Sequence, residues 1–212
     1  VNAFPHKMAW FNAEPQVYRD MLIGSKFKDC IAYGSFVELR AEDCHLVFHE
    51  GIQLRDVKAV PSDVKHQLKL VFENHILLAS IKMYGGIYCF KDAFDNVYRD
   101  HALSVPGLLD ENFDRAYWCK LIQQSSRKLS LKAFLATEQR IPGLGNGLVQ
   151  DILFKAKSHP KRKLETLSEL DLERLLIVLK EQTQMIVDRG GRDTELLLDG
   201  EGGYPSIMSN KA

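Results

Sequence analysis

The stretch Gly143-Leu144-Gly145-Asn146 leads into an apolar run at helical spacing and carries the most specific chemistry in the chain. Glycines let the backbone turn tightly and let a bulky oxyanion approach main-chain N–H groups. A helix entrance adds unsatisfied N–H groups and about half a positive charge. Asn146 has two uses there, as the cap of the helix or as an amide donor to a phosphate oxygen. Arg140 lies near the same loop and either assists or is an ordinary exposed arginine. Lys155, Lys157, His159, Lys161, Arg162 and Lys163 cluster downstream, as do Lys120, Arg127, Lys128 and Lys132 nearer the middle. Taken alone, each cluster reads first as a solvated helix end. The ligand these residue types suit is a phosphate.

Two kinds of element would have to position them. From the start to about residue 105 the pattern is one of short strands. A helix is expected over Glu14 to Leu22, with Pro15 in its first turn, Gly24 at its stop and Val17, Tyr18, Met21 and Leu22 as its buried stripe. "CIAYGSFVEL" and "CHLVFHEGIQL", joined through Ala41-Glu42-Asp43, give a hairpin signal. Leu68, Leu70 and Phe72 then alternate, Glu73-Asn74 turns the chain, and Ile76 to Ile81 returns. Successive short strands predict an antiparallel β-sandwich. After Pro106-Gly107 the period becomes helical. One helix is expected from an Asp110 cap, a second over "SLKAFLATEQ", a third over "GNGLVQDILFKAK", and a fourth from Ser168 to Gly190-Gly191. The expected class is α+β, with a β-sandwich over residues 1–106 and a helical domain over 107–212.

Composition sets limits. The 212 residues are 45% hydrophobic and 26% charged, ordinary values for a folded protein. No run approaches the roughly 20 apolar residues of a membrane span, and the first residues lack the apolar segment of a signal peptide. A cytoplasmic chain with no membrane partner is expected. With 28 basic and 28 acidic residues the formal net charge is zero, so any nucleic-acid surface must come from local clustering. Cys30, Cys44, Cys89 and Cys119 lie far apart without a C-x-x-C pair, which predicts buried thiols rather than a metal site.

"ATEQRIPGLGNGLVQDILFKAKSHPKRK", the long helix ending "DRGGRDTE" and the tail "DGEGGYPSIMSNKA" together resemble the C-terminal half of the formamidopyrimidine-DNA glycosylase and endonuclease VIII family. The resemblance is strong from Asp110 to Tyr204 and looser through the β-rich half. It implies a helix-two-turn-helix DNA-binding domain behind the sandwich, and a base-excision repair glycosylase with AP lyase activity. Such an enzyme flips a damaged base out of double-stranded DNA, because the scissile bond is inaccessible inside the stack. The chemistry implied is attack by an N-terminal proline amine and a Schiff base.

By the same resemblance, Asn146 would hold a phosphate flanking the flipped nucleotide, with Arg140 beside it. His49, before a wedge loop, and Tyr204, in the tail, would touch phosphates. Ile52, Lys82 and Tyr84 would fill the gap left by the base, a use that suits a cation and an aromatic close together. Ile52 and Tyr84 read alternatively as sandwich core. The family's Pro-Glu start and zinc finger have no counterpart in the sequence, so about 40 further residues are expected ahead of Val1, and no cofactor is expected in these residues. Tyr33 and Gly34 stand where many members have a lysine. A catalytic residue is therefore assigned to none of these positions, and a non-catalytic DNA-binding module of the same fold is the alternative. A monomer is expected.

Overall fold

The computed structural model describes residues 1–82, 84–198 and 200–208, with the side chain of Leu197 excepted. Met83 in the Lys82–Tyr84 stretch, and Asp199 and residues 209–212 in the tail, lie outside the described residues. By internal contacts the chain divides into one unit of Val1–Asn96 with Leu196–Gly200, and a second of Val97–Glu195 with Glu201–Ala212. The division falls ahead of the helix Val97–Ser104, upstream of the break that Pro106-Gly107 suggests.

The first unit runs β1 (Asn2–Ala3), β2 (Ala9–Phe11), α1 (Pro15–Leu22), β3 (Phe27–Tyr33), β4 (Phe36–Ala41), β5 (His45–His49), β6 (Ile52–Val57), β7 (Leu68–Val71), β8 (Ile76–Ile81) and β9 (Gly85–Phe90). One sheet has the order β1-β7-β8-β6 and the other β2-β9-β5-β4-β3. The β3–β4 hairpin closes tightly, with Tyr33 opposite Phe36 and Gly34-Ser35 between them. Alternation then puts Leu46, Phe48, Ile87 and Cys89 into one apolar core with Leu68, Leu70 and Ala79 of the other sheet. Tyr18 and Leu22 of α1 join that core. Pro15 begins α1 as expected, but Val17 is 38% exposed and lies off the buried stripe.

One pair departs from the antiparallel expectation. Strand β2 runs parallel to β9, with Trp10 opposite Gly86. The chain reaches it from β1, which pairs with β7 in the other sheet, so β2 meets the edge of β9 in the same direction. Its three residues are too few for alternation to announce a strand. Cysteines also divide: Cys44 and Cys89 are buried, whereas Cys30 and Cys119 are exposed and do not serve as core residues. Burial pushes the Cys89 thiol up to about 12.

The second unit contains α2 (Val97–Ser104), α3 (Arg115–Gln124), α4 (Leu131–Ala136), α5 (Asn146–Lys155) and α6 (Glu169–Asp188). Asp114, not Asp110, caps α3, accepting from the Tyr117 N–H at 2.8 Å. Asp110 instead accepts from the Gly107 N–H at 2.6 Å and closes the preceding turn. Ser168 and Asp171 form a reciprocal capping box on α6, and Gly190 and Gly191 end it with φ of 70° and 115°. Trp118, Phe134, Leu135, Val149, Ile152, Leu175 and Leu179 fill the core between these helices. The segment after His159-Pro160 runs beside the start of α4, tied by Leu131 N–H to Arg162 O (2.8 Å) and Lys132 N–H to Pro160 O (3.0 Å). Near the end of the chain, β10 (Leu196–Leu197) lies in the first unit, where Gln53 donates to the Leu196 carbonyl at 3.0 Å.

Candidate nucleic-acid interface

The glycine loop is held from beneath by its apolar residues. Ile141 and Leu144 are buried in the helical core, and the Leu144 N–H bonds Ile141 O at 3.2 Å. Gly143, Gly145 and Asn146 are thereby left on the outside. Gly145, not Asn146, is the N-cap residue of α5, and no side chain caps this helix. The first N–H groups of α5 have no partner within the helix by its geometry. Asn146 is the first residue of the helix, and its side chain is exposed and without a hydrogen bond among the described residues. A Cβ built on Gly145 would meet nothing within 4 Å, so the space before the helix is open. Of the two uses the sequence leaves to Asn146, capping is the one this geometry does not take up.

Below the loop lies a cation, Arg192, to which the sequence pattern assigns no contact. The Arg192 guanidinium occupies the space a side chain at Gly147 would need. It approaches Asp151 Oδ2 at 3.7 Å and Glu195 Oε1 at 3.7 Å, and is 12% exposed. Asp151 is fully buried and accepts from the Met208 N–H at 2.9 Å. The arginine therefore packs against the first turn of α5 and ties it to the segment after α6. Its sequence signal is its place after the double glycine in "DRGGRDTE".

Arg140 is used differently from the expectation. Its Nη1 donates to Ala133 O (3.2 Å), Thr137 O (3.0 Å) and Thr137 Oγ1 (3.2 Å), and Nη2 pairs with the Glu138 carboxylate. These bonds satisfy the carbonyls at the end of α4, so the arginine shapes the approach to the glycine loop rather than reaching out from it. Glu138 and Gln139 both take left-handed backbone conformations, with φ of 59° and 50°. His101 Nε2 lies 3.0 Å from the Gln139 carbonyl oxygen and helps fix that turn. Tyr204 is also engaged internally. It is 4% exposed, and its hydroxyl donates to Gln182 at 2.5 Å. Burial raises its pKa, and the buried hydroxyl presents no donor to a phosphate.

In the first unit, the structure brings Ile52, Lys82 and Tyr84 together at two neighbouring places where the chain passes from one sheet to the other. The Lys82 N–H bonds Gly51 O at 2.9 Å. Gly51 has φ of 87°, and a Cβ there would overlap the Tyr84 carbonyl, so only glycine fits. Lys82 is exposed and Tyr84 is 48% exposed. Ile52 is half-buried against the sandwich core, with its side chain over Gly85. His49 stacks on Phe36 at 4.2 Å, and its Nε2 lies 3.0 Å from Ser35 Oγ. Burial lowers its pKa, which favours the neutral ring. His49 is thus an orienting ring within the sheet, not a free cation.

Tyr33 lies in a closed polar group. Its hydroxyl donates to Glu38 at 2.5 Å, and the same fully buried carboxylate accepts from Arg40 Nε at 3.0 Å, with His45 Nδ1 2.9 Å away. A buried carboxylate with these partners is a satisfied one.

No family model matches the chain. A formamidopyrimidine-DNA glycosylase of Bacillus cereus is 24% identical over 200 residues, covering 92% of this chain and 72% of that protein. That of Thermomicrobium roseum is 28% identical over 167 residues, covering 78% of this chain and 54% of that protein. Among solved structures, a complex of Lactococcus lactis Fpg with DNA containing N7-benzyl-Fapy-dG matches with a TM-score of 0.78 at 20% identity, covering 95% of this chain and 75% of that one. Another, with abasic-site DNA, matches with a TM-score of 0.74 at 20% identity, covering 92% and 73%. By sequence and by fold alike, the chain is similar to the formamidopyrimidine-DNA glycosylases. Within that formamidopyrimidine-DNA glycosylase fold, the exposed loop around Asn146 belongs to the helical unit and the loop around Tyr84 to the sandwich.

Proposed function

We propose that this chain serves base-excision DNA repair, gripping damaged double-stranded DNA through the loop before α5 and wedging it through the loop of Lys82 and Tyr84. The observation that carries the reading is Asn146, an exposed amide that caps nothing, at the first residue of a helix with unspent N–H groups and open space before them. A phosphate bound there would meet convergent donors and the positive end of the helix dipole. The relatives by sequence are formamidopyrimidine-DNA glycosylases, and the Lactococcus lactis Fpg structures that share the fold hold damaged or abasic DNA. The wedge side supports the reading independently, since a solvent-facing cation and aromatic at one sheet corner suit insertion into an unstacked site.

In the glycosylase and AP lyase reaction, the residues described here bind and position. The nucleophilic amine is assigned to none of them, and Tyr33, hydrogen-bonded to Glu38, supplies no amine at its own position. That last feature favours, as a second reading, a DNA-binding module of the same fold that does not cut. Borohydride trapping on abasic-site DNA separates the two. A covalent adduct whose attachment maps to one amine supports the lyase. Tight binding without an adduct supports the module. No helix among the described residues is long and apolar enough to cross a membrane, and we propose a monomer acting on DNA in the cytoplasm.

A further inference from the structure

Two tryptophans occur in the chain, and they are in opposite situations. Trp118 is 2% exposed, with its indole N–H donating to Leu172 O at 3.2 Å. Trp10 is 50% exposed. It sits at the middle of β2, where alternation buries Ala9 and turns Phe11 toward the sandwich core, sending Trp10 to the other face. Its register partner is Gly86, which offers the indole no side chain to pack on. The Tyr88 ring already fills the space a Cβ on Gly86 would take. What the indole does meet is Tyr84, with ring centroids 5.8 Å apart and planes at 46°. Tyr84 is itself 48% exposed, and exposed Lys82 is two residues away on the same loop.

Folding gains little from leaving two large rings half in water, since each forgoes apolar burial it could have had. Tilted rings side by side, with an ammonium close in sequence, have the composition of a nucleobase-stacking platform: π-faces for a base and a cation for its phosphate. We infer that Trp10 and Tyr84 form a two-ring platform on which an unpaired base stacks, the base being the one left without a partner at a lesion. Trp10 thereby extends the wedge beyond Ile52, Lys82 and Tyr84, and the inference rests on the DNA-binding reading above. Stacking of this kind is tolerant of base identity, because every base has a π-face.

Emission from Trp10 reports on the platform directly, because the other indole is buried in the helical core. The experiment compares the unaltered chain with Trp10→Phe and Trp10→Ala. Duplexes carrying a tetrahydrofuran abasic analogue and intact duplexes are each followed by tryptophan emission and by anisotropy of a labelled strand. The abasic duplex is expected to quench emission of the unaltered chain and to leave that of Trp10→Phe unchanged. Trp10→Ala is expected to weaken abasic-duplex binding by roughly 5- to 150-fold, the loss typical of truncating one stacked aromatic. Trp10→Phe, which keeps a ring, is expected to hold within about threefold of the unaltered affinity on the same grounds. Binding by anisotropy with unchanged Trp10 emission, and with unaltered affinity in Trp10→Ala, would overturn the platform and leave the DNA-binding reading standing. Absence of any anisotropy change with either duplex at low salt would overturn both.

Discussion

Replacing Asn146 with alanine separates its function from the fold. The side chain is exposed, caps no helix and makes no hydrogen bond among the described residues. Its removal costs the folded state little, within the ±0.5 kcal/mol usual for such surface sites. If the amide donates to a phosphate, one hydrogen bond to a charged group is lost, worth about 1.5–3 kcal/mol. Affinity for an abasic duplex should then fall by roughly 10- to 150-fold at constant salt. Asparagine is neutral and displaces no counterion, so the dependence of log affinity on log salt should keep its slope. Replacing a phosphate-contacting lysine instead lowers that slope by about 0.9. The assay is a fluorescence anisotropy titration at several salt concentrations, with a thermal melt of each variant. Gly145→Ala is the companion: φ is −80° and a methyl there touches nothing, so the fold should survive while phosphate approach is hindered. Unchanged affinity in both variants, with unchanged melting, would refute the assignment of this loop to phosphate.

Gly147→Ala should push the flexible end of Arg192 aside while favouring the helix backbone, so the urea midpoint of the helical unit should shift by no more than about 1 kcal/mol in stability. Tyr33→Phe removes a donor from the fully buried Glu38 carboxylate and should cost about 1–3 kcal/mol by the same measurement. Arg162 beside Asp171, with the Ser168 cap, holds that carboxyl down at about 2 against an ordinary 3.8. Its contribution is therefore present above about pH 4 and lost as pH falls toward 2. Asp171→Asn should flatten that part of the stability–pH curve, as followed by urea midpoints at several pH values. Burial lowers the pKa of His49, so the unfolded chain takes up its proton first and stability should decline as pH falls below about 6.5. The same site should add no step to DNA affinity between pH 6.5 and 8, where the ring stays neutral.

Much of the fold was legible because period and punctuation agree. Pro15, the Ser168–Asp171 box and Gly190-Gly191 each mark a helix boundary by local chemistry, and each marks it in the structure. Leu68 and Leu70 alternate because one face of their strand is buried. The parallel strand β2 was not legible. Three residues carry no usable alternation, and its pairing with Gly85–Ile87 depends on how the chain crosses between sheets. Asp110 and Asp114 look alike as caps, and only the turn at Gly107 decides between them.

The site is less legible than the fold for a related reason. Sequence shows which residues carry donors, but not which donors are already spent. Arg140 closes the end of α4, Tyr204 donates to Gln182, and His49 stacks in the sheet, so none of the three stands free as the motif suggests. Lys82 and Tyr84 are exposed, and they lie near Ile52 because both sheet crossings converge at Gly51. Trp10 had no motif to announce it. Its importance appears only once Gly86 is known to lie opposite and Tyr84 beside it.

The most direct test of the central claim is the affinity of the 212-residue chain for an abasic-analogue duplex against the matching intact duplex, measured by anisotropy across a salt series. The account predicts binding that weakens with salt and prefers the abasic duplex by at least about tenfold, since the wedge then meets no base it must first unstack. Equal affinity for the two duplexes, or none for either at low salt, would contradict it.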